Sequence, residues 1–180
     1  RNDTAIALLD QAKPHVVRCN ASEIKSMAAL LCENSHCGNT RGVDASIQDK
    51  ITEENLDEAC TFLKNLAMEW KCIIAVSGEI DVVTDCEKTF VIRNGHKNMA
   101  KITGSGCILS AIIPAYLSVA EGKGLKACAS AVCMLGQAGE NAAVRMGDFD
   151  GNSTYRNYLI DAIFNMNEEA FEKGARYECR

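Results

Sequence analysis

Cys72-Ile73-Ile74-Ala75-Val76 is a near-continuous apolar run set between Lys71 and Ser77. A strand with one wet face alternates apolar and polar residues. A run without alternation predicts a strand covered on both faces, as in a sheet flanked by helices. Upstream, Leu56, Ala59, Cys60, Leu63, Leu66 and Ala67 follow at helical intervals, with Thr52 the expected N-cap. Downstream, Ile80–Thr84 and Thr89–Ile92 read as two more strands separated by polar Asp85–Lys88, and Asn94-Gly95 reads as a tight turn. Nearer the start, Ile6, Leu8, Leu9 and Ala12 suggest a short helix ended by Lys13-Pro14. His15–Arg18 is a short β-type run, and Asn20–Glu23 opens a helix to about Leu31. Two apolar helices are expected over 107–121 and 125–145, another over 153–164, and an exposed helical tail over 168–177. Strands alternating with helices predict an α/β fold around a largely parallel sheet.

At 180 residues, with 47% hydrophobic and 24% charged residues, the chain can build a sizeable core, and no linker divides it. Residues 1–180 therefore read as a single domain. A net charge of −5 argues against nucleic acid or an anionic membrane as a constitutive partner. No apolar run is long enough to span a bilayer, and the amphipathic N-terminus carries no signal-peptide core. Five of the ten cysteines (Cys60, Cys72, Cys107, Cys128 and Cys133) sit in apolar, patterned segments, where a thiol acts as a small hydrophobe. Reduced cysteines and no signal peptide predict a cytoplasmic protein. Cys32, His36 and Cys37 are the one cluster resembling metal ligands, but no second pair follows at zinc-site spacing. The chain opens at Arg1 without an initiator methionine and reads like one whose beginning is missing.

In open α/β sheets ligands bind at the carboxyl ends of the strands, so the turns after Arg18, Val76 and Thr103 are where chemistry is expected. Thr103-Gly104-Ser105-Gly106-Cys107 precedes the apolar segment Ile108–Ala120. Two glycines allow a tight turn and close approach, and the helix N–H groups behind them suit a phosphate. Cys107 would sit at the positive helix end, where a thiolate is favoured. The plain alternative is an ordinary connection. Asn20 and Glu23 have a plain account as a capping box. The alternative has Glu23 helping to hold a magnesium–water cluster while Arg18 lies along a polyphosphate. Ser77-Gly78-Glu79 is either a simple strand-end turn or a phosphate contact, and His96 and Lys97 default to solvated surface. Neither a Walker A loop, a Rossmann fingerprint nor a Gly-x-Ser-x-Gly elbow is present.

Four motifs occur together and in order: Arg18-Cys19-Asn20-Ala21-Ser22-Glu23, Val76-Ser77-Gly78-Glu79-Ile80-Asp81, Arg93-Asn94-Gly95-His96 and Thr103-Gly104-Ser105-Gly106-Cys107. In this the chain resembles the hydroxyethylthiazole kinase family, from Arg1 to the C-terminus. The resemblance implies a ribokinase-like three-layer fold, and phosphorylation of the primary alcohol of 4-methyl-5-(2-hydroxyethyl)thiazole by ATP and Mg2+ in thiamine biosynthesis. It implies ATP or phosphate binding by Arg18, Asn20, Ser77, Gly104, Ser105 and Gly106. Thiazole contact falls to Gly104, magnesium to Glu23, and the position where many relatives carry a catalytic aspartate to Cys107. It also implies a homotrimer with active sites between subunits.

The departures are specific. Cys19 stands where glycine is usual and is expected to tighten that turn. Gly151–Tyr155 stands where a Gly-Pro-Gly-Ser-Phe-like run is usual. The family's N-terminal strands have no counterpart, so weak or no turnover is expected of these residues alone. Two rivals remain open. One is another ribokinase-like kinase, such as one for hydroxymethylpyrimidine, and the other is a non-catalytic nucleotide-binding or assembly subunit. A thiol enzyme using Cys107 as nucleophile is a more distant third.

Overall fold

The computed structural model describes residues 2–34 and 49–180. His36 and Cys37 of the candidate metal cluster, and the side chain of Cys32, lie outside the described part. The elements in order are α1 (Asn2–Ala12), β1 (Val16–Asn20), α2 (Ala21–Asn34), α3 (Leu56–Trp70), β2 (Ile73–Ser77), β3 (Asp81–Thr84) and β4 (Thr89–Ile92). A 3-10 turn (Lys97–Lys101) then leads to α4 (Ser105–Ser118), α5 (Gly124–Val144), α6 (Asn152–Phe164), α7 (Glu168–Gly174) and β5 (Tyr177–Cys179). The five strands form one sheet in the order β1-β2-β3-β4-β5, flanked by helices. The chain falls into two compact units, Arg1–Val91 with Cys179–Arg180, and Ile92–Glu178.

The α/β class stands, but the sheet is mixed where a largely parallel one was expected. β1 runs parallel to β2, and β2 antiparallel to β3. The reason is connection length. Only Gly78, Glu79 and Ile80 separate β2 from β3, and a parallel return needs a crossover of a dozen or more residues. β1 and β2, by contrast, are separated by α2 and α3.

In the first unit the apolar stripe of α3 buries Leu56, Ala59, Cys60, Leu63, Leu66 and Ala67 with Ile74, Val76, Val82 and Val91. The helix starts later than expected, and its N-cap is Asn55, not Thr52. Asn55 is buried and holds the preceding turn together, accepting from Thr52 N and donating to the Lys50 carbonyl. The Thr52 hydroxyl turns instead to Glu54. Lys71 ends the helix at φ 53°, its N–H on the Ala67 carbonyl. That is the left-handed stop that returns the chain into β2.

In the second unit α5 is the buried axis: Cys128, Ala131, Ala138 and Ala142 are fully enclosed. Small residues let neighbouring backbone close in. A Cβ on Gly136 would sit 2.6 Å from the Asn94 carbonyl oxygen. The tail expected as helix over 168–177 stops at Gly174 and continues as β5. Arg176–Arg180 carries no strand pattern. The segment is held by backbone pairing, with Arg180 N donating to the Thr89 carbonyl at 2.8 Å and Arg93 N to the Arg176 carbonyl at 2.9 Å.

Leu63 is fully buried, so Leu63→Ala should destabilise the protein by about 2–5 kcal/mol. Gly136→Ala should cost about 1–3 kcal/mol because backbone must move. Exposed Met68→Ala should stay within about 0.5 kcal/mol. Urea unfolding midpoints at constant slope check all three.

Candidate functional site

The parallel register sets Arg18 beside Ala75 and Asn20 beside Ser77. Side chains two apart on a strand share a face. Arg18, Asn20 and Ser77 therefore stand on one face at the carboxyl ends of β1 and β2. Cys19 points the other way, into the core at 3% exposure. The turn that Cys19 was expected to tighten does not exist, because residue 19 is still strand. Burial, more than the nearby Glu23 charge, pushes the Cys19 thiol up to about 12, so it is no nucleophile.

Arg18 Nη2 donates to Ser77 Oγ at 2.7 Å, and Ser77 Oγ reaches the Cys19 carbonyl at 3.4 Å. Arg18 Nε is buried and has no hydrogen-bond partner among the described residues. A buried charged donor left without an acceptor is costly, and a phosphate oxygen is the acceptor that guanidinium geometry suits best. Asn20 and Glu23 are reciprocal: Asn20 N donates to Glu23 Oε2 and Glu23 N to Asn20 Oδ1, both at 2.8 Å. The capping box is therefore built, and it anchors the N-terminus of α2 directly after β1. Glu23 is exposed. Among the described residues no group of three or more His, Cys, Asp or Glu is gathered to hold a metal. One accessible carboxylate beside a polyphosphate fits magnesium, which keeps most of its waters and takes phosphate oxygens. It does not fit zinc.

Asp81 is a further member of this cluster that the sequence reading left without a role. Its Oδ1 accepts the Gly78 N–H at 2.7 Å. Burial pushes its carboxyl up to about 7 from 3.8, against the opposing pull of the Gly78 hydrogen bond and the Arg18 charge. The available signal was spacing. Two strands joined by three residues put the last residue of one opposite the first of the next.

In the second unit the glycine turn does what the sequence expected of its backbone. Gly104 is the N-cap of α4 at φ 101°, a conformation that favours glycine, and no neighbour would meet a Cβ there. Its carbonyl accepts from Ile108 N at 2.9 Å. No side chain caps the helix, so the N–H groups of Ser105, Gly106 and Cys107 precede the first intrahelical bond. Cys107 is exposed in this first turn. Pro114 falls inside α4, and only Leu109 and Ile113 of the helix are buried. His96 is committed locally, its Nδ1 accepting from Asn98 N at 3.3 Å. Gly151 caps α6, with Asn152 Nδ2 on the Lys101 carbonyl at 3.1 Å and the buried Tyr155 hydroxyl on the Gly139 carbonyl at 2.9 Å.

Behind the Asn94-Gly95 turn lies a polar network centred on the buried Asn94. Asn94 Nδ2 donates to Glu140 Oε1 and to the Gly174 carbonyl. Asn94 Oδ1 accepts from Arg176 N at 2.7 Å. Glu140 also accepts from Gly95 N at 2.6 Å and takes a two-pronged contact from Arg176.

A family model described as the hydroxyethylthiazole kinase family matches residues 1–169. A hydroxyethylthiazole kinase of Clostridium acetobutylicum is 42% identical over 178 residues, covering 99% of this chain and 63% of that protein. Hydroxyethylthiazole kinase 1 of Methanosphaera stadtmanae is 36% identical over 169 residues, 93% of this chain and 59% of that protein. The chain thus spans about three-fifths of these relatives. A solved hydroxyethylthiazole kinase structure from Pyrococcus horikoshii OT3 superposes with a TM-score of 0.79 at 24% identity, over all of this chain and 60% of that one. At that identity it speaks for the fold, which is ribokinase-like.

Between pH 3.8 and about 7 the folded form carries a proton on Asp81 that the unfolded form has lost. This contribution to stability therefore falls as pH rises through that window. Asp81→Asn should remove it, so the variant's stability relative to the parent should rise from pH 5 to pH 8. Urea midpoints at pH 5, 6.5 and 8 measure that difference, and a flat difference would contradict the buried carboxyl.

Proposed function

Since the chain belongs to the hydroxyethylthiazole kinase family, we propose that it carries the ATP-binding and phosphoryl-transfer residues for phosphorylating the primary alcohol of 4-methyl-5-(2-hydroxyethyl)thiazole. The observation that supports this most is Arg18 at the carboxyl end of β1. One nitrogen is anchored on Ser77 and another is buried without a partner, a donor waiting for a polyphosphate oxygen.

In this reading Arg18 and Ser77 hold the nucleotide phosphates, with Asn20 at the N-terminus of α2 beside them. Glu23 would hold Mg2+ through water and phosphate oxygens, and the ion would supply neutralisation of phosphate charge. Gly104 contacts the acceptor alcohol. The N–H groups of Ser105, Gly106 and Cys107 take the charge that builds on the transferring phosphoryl oxygens. Cys107 accepts or orients the alcohol proton as the new O–P bond forms and the bond to the ADP oxygen breaks. Phosphoryl transfer leans on positioning and charge more than on a strong base, so a thiol is adequate there. Residues 1–180 act as one kinase domain within a cytoplasmic homotrimer.

Calorimetric titration with a non-hydrolysable ATP analogue should show binding that strengthens with magnesium. Arg18→Ala should weaken it at least tenfold, and no binding by the folded parent would sink the reading. With catalysis of the full-length protein as readout, an acceptor panel should favour the thiazole alcohol over hydroxymethylpyrimidine, and Cys107→Ser should lower kcat more than it changes KM for ATP.

A further inference from the structure

Ser77 closes β2 and Asp81 opens β3. The antiparallel register pairing Val76 with Val82 sets Ser77 opposite Asp81 when carried one step further. Directly opposed residues share a face of the sheet. Asp81 therefore stands on the face that bears Arg18, Asn20 and Ser77. Its Oδ1 takes the Gly78 N–H at 2.7 Å, which closes the turn on the side where buried Ile80 pins it to the core. Gly78 is exposed, and a Cβ there would meet only the Ile80 carbonyl at 3.5 Å. Ser77 is held in the ladder beside Asn20, but the Gly78 backbone beyond it is intrinsically free, and the Asp81 contact restrains its N–H. The Ser77–Gly78 peptide follows directly on the residue whose hydroxyl accepts from Arg18 Nη2 at 2.7 Å.

We propose that Asp81 is a positioning residue for nucleotide binding: by accepting the Gly78 N–H it fixes the Ser77–Gly78 peptide, and with it the Ser77 hydroxyl that aims Arg18. This rests on the ATP-binding reading above. Asp81 touches no substrate and acts only through Gly78 and Ser77. What the role requires is an acceptor oxygen at Oδ1, so asparagine can stand in for it and alanine cannot.

The test is titration of the 180-residue chain and its variants with the magnesium complex of a non-hydrolysable ATP analogue. Asp81→Ala should weaken binding at least tenfold, and Asp81→Asn should recover most of that loss. In the Ser77→Ala background Asp81→Ala should cost little more, because both substitutions break one chain of contacts. Additive losses, or an Asp81→Asn as weak as Asp81→Ala, overturn the proposal. Parent binding with an unaffected Asp81→Ala overturns the proposal and leaves the kinase reading standing, whereas a folded parent that binds nothing removes both. Should Asp81→Ala fail to fold, the Gly78 amide of the parent decides. A downfield, slowly exchanging proton is expected, and an ordinary fast-exchanging one overturns the proposal.

Discussion

Five consecutive pairs, from Val16 with Ile73 to Asn20 with Ser77, lock β1 to β2 in parallel, and the first unit is organised around that register. Strand periodicity then has two consequences at once. Cys19, Ile74 and Val76 go to the core, while Arg18, Asn20 and Ser77 gather on the opposite face at the strand ends. A slip of one residue would exchange the two sets, burying a guanidinium and exposing the core. The apolar packing beneath α3 therefore protects the polar cluster as much as it stabilises the fold.

Burial also sorts the titratable groups. Cys19, Cys72 and Cys128 are enclosed and their thiols are pushed up to between about 11 and about 12, chiefly by desolvation. They are packing residues. Cys107, at the start of α4, is exposed instead. Asp81 shows the other use of burial. Taken out of water, its carboxyl is pushed up to about 7, because burial outweighs the Gly78 hydrogen bond and the Arg18 charge that favour the ionised form. In the second unit the Asn94, Glu140 and Arg176 network ties the end of β4 to α5 and to the chain beyond α7. That network fixes the turn that leads towards Gly104.

Much of this was legible from spacing. The apolar run at 72–76 appears as Ile73–Ser77, the run at 80–84 as Asp81–Thr84, and Thr89–Ile92 as expected. In each case a buried strand needs unbroken apolar residues and a helix stripe needs the 3.6-residue period. What escaped had no local pattern. β5 exists because backbone hydrogen bonds join Thr89 to Arg180 and Arg93 to Arg176, and nothing in Tyr177-Glu178-Cys179 announces it. The cap of α3 moved from Thr52 to Asn55 because Asn55 satisfies Thr52 and Lys50 at once. Arg18, Ser77 and Gly104 stood out through linked motifs. Asp81 and Glu140 did not, because their roles depend on which residue lies across the sheet or along the next helix.

By itself, then, the sequence determined the α/β class, the family, the left-handed glycine before α4 and the capping box at Asn20 and Glu23. All of these are short-range or pattern properties, written in neighbouring residues. Tertiary structure decided the rest: the mixed sheet, the pairing of β5, the face shared by Arg18, Ser77 and Asp81, and the raised pKa of Asp81. Those depend on register and burial, which bring together residues about 60 apart in the chain. No local pattern encodes the distance between two side chains on different strands.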